Sequence, residues 1–144
     1  MQSAVPKGEG GMLAILGSDS ETIEKIFYDN KDKYQCFIAN DNSNGQLVVS
    51  GKIECINKLS LDLTSKSIKN IKLPVSAPFH CNLMSKATKL MKKEIEKLEF
   101  KEFQNPLISN VTATEIKDKS ILKDLLVKQI ESRVRWRESV LYMI

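Results

Sequence analysis

A single side chain in this 144-residue sequence can take up and return a proton near neutral pH, and it is His80. It stands in the run Leu73-Pro74-Val75-Ser76-Ala77-Pro78-Phe79-His80-Cys81-Asn82-Leu83-Met84, where Pro74 and Pro78 fix their own φ and push the residues before them toward extended geometry. Such a loop is stiff and leaves His80 few conformations to lose. Two roles suit it: a general base, or a hydrogen-bonded structural histidine. A rigid loop between a strand end and a helix start favours the base, because α/β folds place reactive groups there. A base also needs a group to activate, such as a serine on a sharp strand-to-helix turn, usually Gly-x-Ser-x-Gly. That pattern is absent from the sequence, and Ser18, Ser50 and Ser76 lack its flanking glycines, so none of them reads as the nucleophile. Cys36, Cys55 and Cys81 are odd in number and widely spaced, which argues against a disulfide framework or a metal site and suits reduced thiols.

The elements that must position His80 can be read from periodicity. Met12 to Leu16 is a short apolar run closed by Gly17 and predicts a strand; Ser18 with Glu21 three residues on is a capping-box pattern for a helix to about Asn30. Tyr34 to Ala39 and Gln46 to Ser50 predict a hairpin around the turn Asn40-Asp41-Asn42-Ser43-Asn44-Gly45. Ile53, Ile56, Leu59 and Leu63 repeat at helical spacing, and Ile68 to Leu73 completes a βαββαβ order. This is the ferredoxin-like plan of four strands with two helices on one face. The same order describes RNA-recognition modules, so a stand-alone binding module for RNA or a protein is the alternative. Its central strands, Met12 to Leu16 and Gln46 to Ser50, hold no aromatic on which a base could stack, which argues against nucleic acid.

Beyond the loop, Leu83, Met84, Ala87, Leu90, Met91, Ile95 and Leu98 predict one apolar helix face. Phe100 to Pro106 is irregular, Leu107 to Val111 resembles a buried parallel strand, and Ile121, Leu122, Leu125, Leu126 and Ile130 mark another helix. Trp136, Val140, Leu141 and Met143 share one side of a last helix that stops at Ile144 without a glycine or polar cap, which reads as a truncated chain. The composition is 42% hydrophobic with a formal charge of +4 and no long apolar block, so the expectation is a globular chain with neither a signal peptide nor a membrane span. The spread lysines suit a solvated face or an acidic partner.

Val75-Ser76-Ala77-Pro78-Phe79-His80-Cys81-Asn82-Leu83-Met84 resembles the histidine loop of malonyl-CoA:acyl-carrier-protein transacylases. Met1-Gln2-Ser3-Ala4-Val5-Pro6 with Gly8 and Gly10, Asn42 to Gly51, and Leu126-Val127-Lys128-Gln129 with Val134-Arg135-Trp136 agree in order and spacing, so the resemblance runs along nearly the whole chain. It implies an α/β (α+β) protein: 1–11 a connecting segment, 12–73 a ferredoxin-like subdomain, and 74–144 an incomplete part of an α/β-hydrolase-like acyltransferase body. It further implies that His80 is catalytic, that Phe79, Asn42 and Met12 bind substrate, and that the serine, in a Gly-His-Ser-Leu-Gly elbow, lies upstream of the matched region. Malonyl-CoA and the phosphopantetheine thiol of acyl carrier protein would be the substrates in fatty-acid biosynthesis, with no cofactor, metal, nucleic acid or membrane. The compartment would be the bacterial cytoplasm or a plastid-type organelle. Arg133, Arg135 and Lys89 could meet the acidic carrier. Asp41 and Asn44 depart from the family pattern, which would make the hairpin tip more polar and mobile, and Arg133 replaces a common proline, which would loosen the entry to the last helix.

Overall fold

The computed structural model describes residues 5–6 and 8–144, so Met1–Ala4 of the first matched stretch and of the connecting segment lie outside the described residues. Seven-residue β1 (Gly10–Leu16) is followed by α1 (Ser20–Asp29), β2 (Cys36–Ser43), β3 (Gln46–Lys52), α2 (Ile53–Ser65) and β4 (Lys69–Lys72). Their sheet runs β2-β3-β1-β4 with all pairs antiparallel, so β1 and β3 are central, as the ferredoxin-like order requires. Alternation along the strands splits the sheet into two faces. Leu13, Ile15, Leu47 and Val49 point to the helices and pack with Ile23, Ile56, Leu59 and Leu63. Each such buried aliphatic side chain contributes about 1.5–3 kcal/mol. Met12, Ala39 and Val48 form a second buried cluster, packed against Leu73 and Phe79.

Several local expectations shift. Asp19, not Ser18, caps α1, its carboxylate accepting from the Thr22 N–H at 2.8 Å. β2 runs on to Ser43 through two irregularities, and the hairpin closes on the two-residue turn Asn44-Gly45, with Gly45 at φ 79°. The tip is therefore tight, and Gly17 donates to the Gly45 carbonyl at 2.7 Å.

After the loop, a 3₁₀ turn (Asn82–Met84) leads into α3 (Ser85–Glu96), which buries only Ala87 and Ile95, while Leu90, Met91 and Leu98 of the predicted stripe are exposed. Leu107 to Val111 is not a buried parallel strand among the described residues: β5 (Ile108–Ser109) pairs antiparallel with β6 (Thr114–Glu115), and Leu107 is exposed. A second 3₁₀ turn (Lys119–Ile121) precedes α4 (Leu122–Gln129), whose Leu122 and Leu125 pack with Ile116, Phe100, Phe103 and Val111. α5 (Trp136–Met143) buries Ser139, whereas Trp136, Leu141 and Met143 of its expected inner stripe face outward. No helix among the described residues is long and apolar enough to cross a membrane.

Candidate functional site

Four contacts build the loop that carries His80. Leu73 N–H donates to the Met12 carbonyl at 3.0 Å, tying the loop's start to β1. Gly10 lets the chain come close to Pro78, since a Cβ there would lie 2.3 Å from the proline Cδ. Phe79 N–H reaches the Ala77 carbonyl at 3.1 Å, and the buried Cys81 thiol donates to the Pro78 carbonyl at 3.1 Å. Cys81 is held inside a tight turn, and burial pushes its thiol pKa up. Ser50 Oγ is buried without a hydrogen-bond partner among the described residues.

His80 adopts φ 59°, a left-handed conformation that costs a non-glycine residue about 1 kcal/mol or more. The surrounding contacts over-determine the turn and impose this geometry. The side chain is half-buried, and Nδ1 lies 3.0 Å from the carbonyl oxygen of Gln129, the last residue of α4. A carbonyl can only accept, so Nδ1 is the donor in this contact, and in the neutral ring Nε2 presents the lone pair. Gln129 has its carbonyl to spare because the next N–H groups turn elsewhere: Ile130 to Val127, and Glu131 and Ser132 to Lys128. No residue-type pattern marks a main-chain carbonyl. Gln129 stands in a matched stretch, but its side chain gives no hint of this contact.

Phe79 bridges two buried groups, Met12–Ala39–Val48 beneath the sheet and Met84–Ala87–Ile130 between α3 and α4. Met12 and Phe79 thus share one apolar cluster next to His80. Asn42 lies in the second irregularity of β2, between Asp41 and Ser43, and takes no part in that cluster or in a side-chain hydrogen bond among the described residues. Asp41 is only 1% exposed and is not part of a mobile tip: its carboxylate accepts from Arg137 Nε at 3.0 and 3.1 Å. Arg133 pairs with Glu24, and Arg135 donates to Glu138 and to the carbonyls of Val111 and Thr112, so both are engaged within the chain. The entry to α5 is correspondingly tied down. Lys89 is exposed and has no ion-pair partner among the described residues. No cluster of three or more His, Cys, Asp or Glu side chains suited to a metal occurs among them either.

This mixed α/β architecture, an antiparallel four-stranded sheet supporting a histidine loop, is part of the malonyl-transacylase fold. It matches the crystal structure of the malonyl CoA-acyl carrier protein transacylase from Clostridium perfringens with a TM-score of 0.93 and 31% identity, over 99% of this chain and 45% of that one. A malonyl-transacylase in complex with its type II PKS acyl-carrier protein matches with a TM-score of 0.91 and 31% identity, over 99% of this chain and 46% of the other. In sequence the chain is homologous along its length to the malonyl CoA-acyl carrier protein transacylases: that of Bacillus subtilis is 36% identical over 97% of this chain and 45% of the relative. The chain therefore spans a little under half the length of the relatives it matches. No family model matches it.

Proposed function

We propose that the chain supplies the proton-shuttling part of an acyltransferase that moves malonyl from malonyl-CoA to the phosphopantetheine thiol of acyl carrier protein. The observation that carries this reading is the left-handed His80, whose Nδ1 is committed to the Gln129 carbonyl, which leaves Nε2 as the proton acceptor of the neutral ring. In the first half-reaction Nε2 takes the proton of a serine hydroxyl as the oxygen attacks the thioester, and returns it to the departing CoA sulfur. In the second it takes the proton of the carrier thiol, which attacks the malonyl-serine ester, and returns it to the serine. The resemblance puts that serine in a Gly-His-Ser-Leu-Gly elbow, a motif that this sequence does not contain. Met12 and Phe79 would line the acyl side of the site and Asn42 its rim. Lys89 is the one of the three basic candidates left for an acidic carrier. Exposed Trp136, Leu141, Leu107 and Leu126 suit packing against the remainder of such an enzyme. The three free cysteines fit a reducing compartment, a cytoplasm or an organelle stroma.

A nucleic-acid module is disfavoured because the sheet face that would stack bases is covered by Leu73 and Phe79. The test is a chimera in which residues 1–144 replace the matched segment of the Bacillus subtilis enzyme. Radiolabelled malonyl-CoA should label its serine and then the carrier, and His80→Ala should lower the rate about 10²–10⁴-fold. A folded chimera that transfers malonyl equally well without the imidazole would overturn the reading.

A further inference from the structure

Asp41 and Arg137 are 96 positions apart in sequence and meet through a two-point contact: Arg137 Nε to both carboxylate oxygens, and Nη2 to Oδ2 at 3.0 Å. A guanidinium fork on a carboxylate fixes orientation as well as distance. We propose that this pair is a positioning device for His80, holding segment 129–137 so that the Gln129 carbonyl stays aimed at Nδ1.

The segment is short and is gripped at both ends. Upstream, Leu122 and Leu125 anchor α4, which ends at Gln129. Gln129 Nε2 donates to the Ser132 carbonyl at 3.1 Å and closes the turn that follows. Downstream, Val134 is stitched to the edge of β2: its N–H donates to the Ala39 carbonyl at 2.8 Å, and its own carbonyl accepts the Asp41 N–H at 2.9 Å. Asp41 therefore holds the segment twice, by its backbone at Val134 and by its carboxylate at Arg137 in the first turn of α5. The ties of Arg133 and Arg135 go to α1 and to the β5–β6 turn, away from β2. Ala39 and Asp41 of β2 both join this segment to the sheet whose central strand, β1, starts the histidine loop through Met12, and among the described residues only Asp41 does so through a side-chain hydrogen bond as well. The path from Arg137 to His80 thus runs through hydrogen bonds at Asp41, Val134, Ser132 and Gln129, joined by the short backbone stretch 132–134, rather than through proximity alone.

The functional meaning rests on His80 being the proton acceptor, but the readout does not. His80 is the only imidazole, so long-range ¹H–¹⁵N spectra of the full chain report its tautomers without overlap. The Nδ1–H form should dominate in the parent. Asp41→Asn and Arg137→Lys, both mild changes, should each lower the Nδ1–H to Nε2–H ratio about threefold, as expected for coupling through a packed network. The double variant should fall no further, because the two residues act as a unit. Asn and Lys variants that keep the dispersed amide spectrum of the sheet together with the parent's ratio would overturn the proposal. So would unfolding of both, which would make the pair a requirement of the fold. In the chimera, kcat should fall with KM held. Loss of transfer in the parent chimera alongside a tautomer shift in the variants would fault the transferase reading and leave the pair standing.

Discussion

The imidazole of His80 and the main-chain carbonyl of Gln129 meet at 3.0 Å across 49 positions of sequence, and this one contact sets which ring nitrogen can act as a base. The carbonyl belongs to the end of α4, where the last peptide oxygens have no partner within the helix. A helix terminus therefore supplies an acceptor that needs no side chain. The same contact holds the ring while the strained backbone at φ 59° aims it.

That strain separates fold from function. Glycine adopts a positive φ without penalty and alanine does not, so His80→Gly should be more stable than His80→Ala by about 1 kcal/mol. Both lose the same ring and the same hydrogen bond, so their difference isolates the backbone. Urea unfolding of the two variants measures it, and equal midpoints would show that the turn is not strained.

Gly10 is set by a different constraint, close approach. A Cβ there would lie 2.3 Å from Cδ and 2.7 Å from Cγ of the fully buried Pro78. Gly10→Ala should therefore push the histidine loop off the sheet and cost about 1–3 kcal/mol. Gly8→Ala has open space around its Cβ but sits at φ 91°, so it should cost less and leave the His80 signals unmoved. Thermal melts and the His80 ring shifts of both variants check this.

The order of elements up to Leu73 was legible because its signals are local: an apolar run, a polar turn cluster and a helical repeat. The cap nonetheless fell on Asp19 rather than Ser18, and the turn narrowed to Asn44-Gly45. The histidine loop was legible from two prolines and a lone imidazole. Its partner was not, because a main-chain carbonyl has no letter. Nor were the outward-facing stripes of α3 and α5, since periodicity shows that a face is apolar but not what covers it. Asp41 misled for a related reason: a charge at a hairpin reads as solvated until a distant Arg137 is seen to bury it. The short β5–β6 ladder sits inside an apolar run that also suits a buried strand, and only the pairing distinguishes them.

Thiol chemistry should follow burial. Burial pushes Cys36 up to about 12 and raises Cys81 as well, while Cys55 is only partly covered. Since the thiolate is the reactive form, an aromatic disulfide reagent at about pH 8 should label one cysteine quickly and two only after unfolding. Cys55→Ser should remove the fast phase. A fast phase that survives that change would mean that the turn holding Cys81 opens readily.

Acid should weaken the fold through a few carboxylates held below their ordinary range. The Thr22 N–H lowers Asp19, the Lys33 ammonium and then the Tyr34 hydroxyl lower Asp62, Ser120 lowers Asp118, and Arg135 lowers Glu138. A folded-state pKa below the unfolded one means that the unfolded chain binds protons first. The stabilisation is thus complete above the ordinary values of 3.8 for aspartate and 4.5 for glutamate, and is lost as pH falls through and below them. Urea midpoints should be level from about pH 7 to 5 and then drop toward about pH 3. Asp62 joins α2 to the residues just before β2, so Asp62→Asn should remove part of that drop while lowering the plateau. Because these groups are largely exposed, salt should shrink the same difference. An acid limb unchanged by Asp62→Asn would place the proton uptake elsewhere.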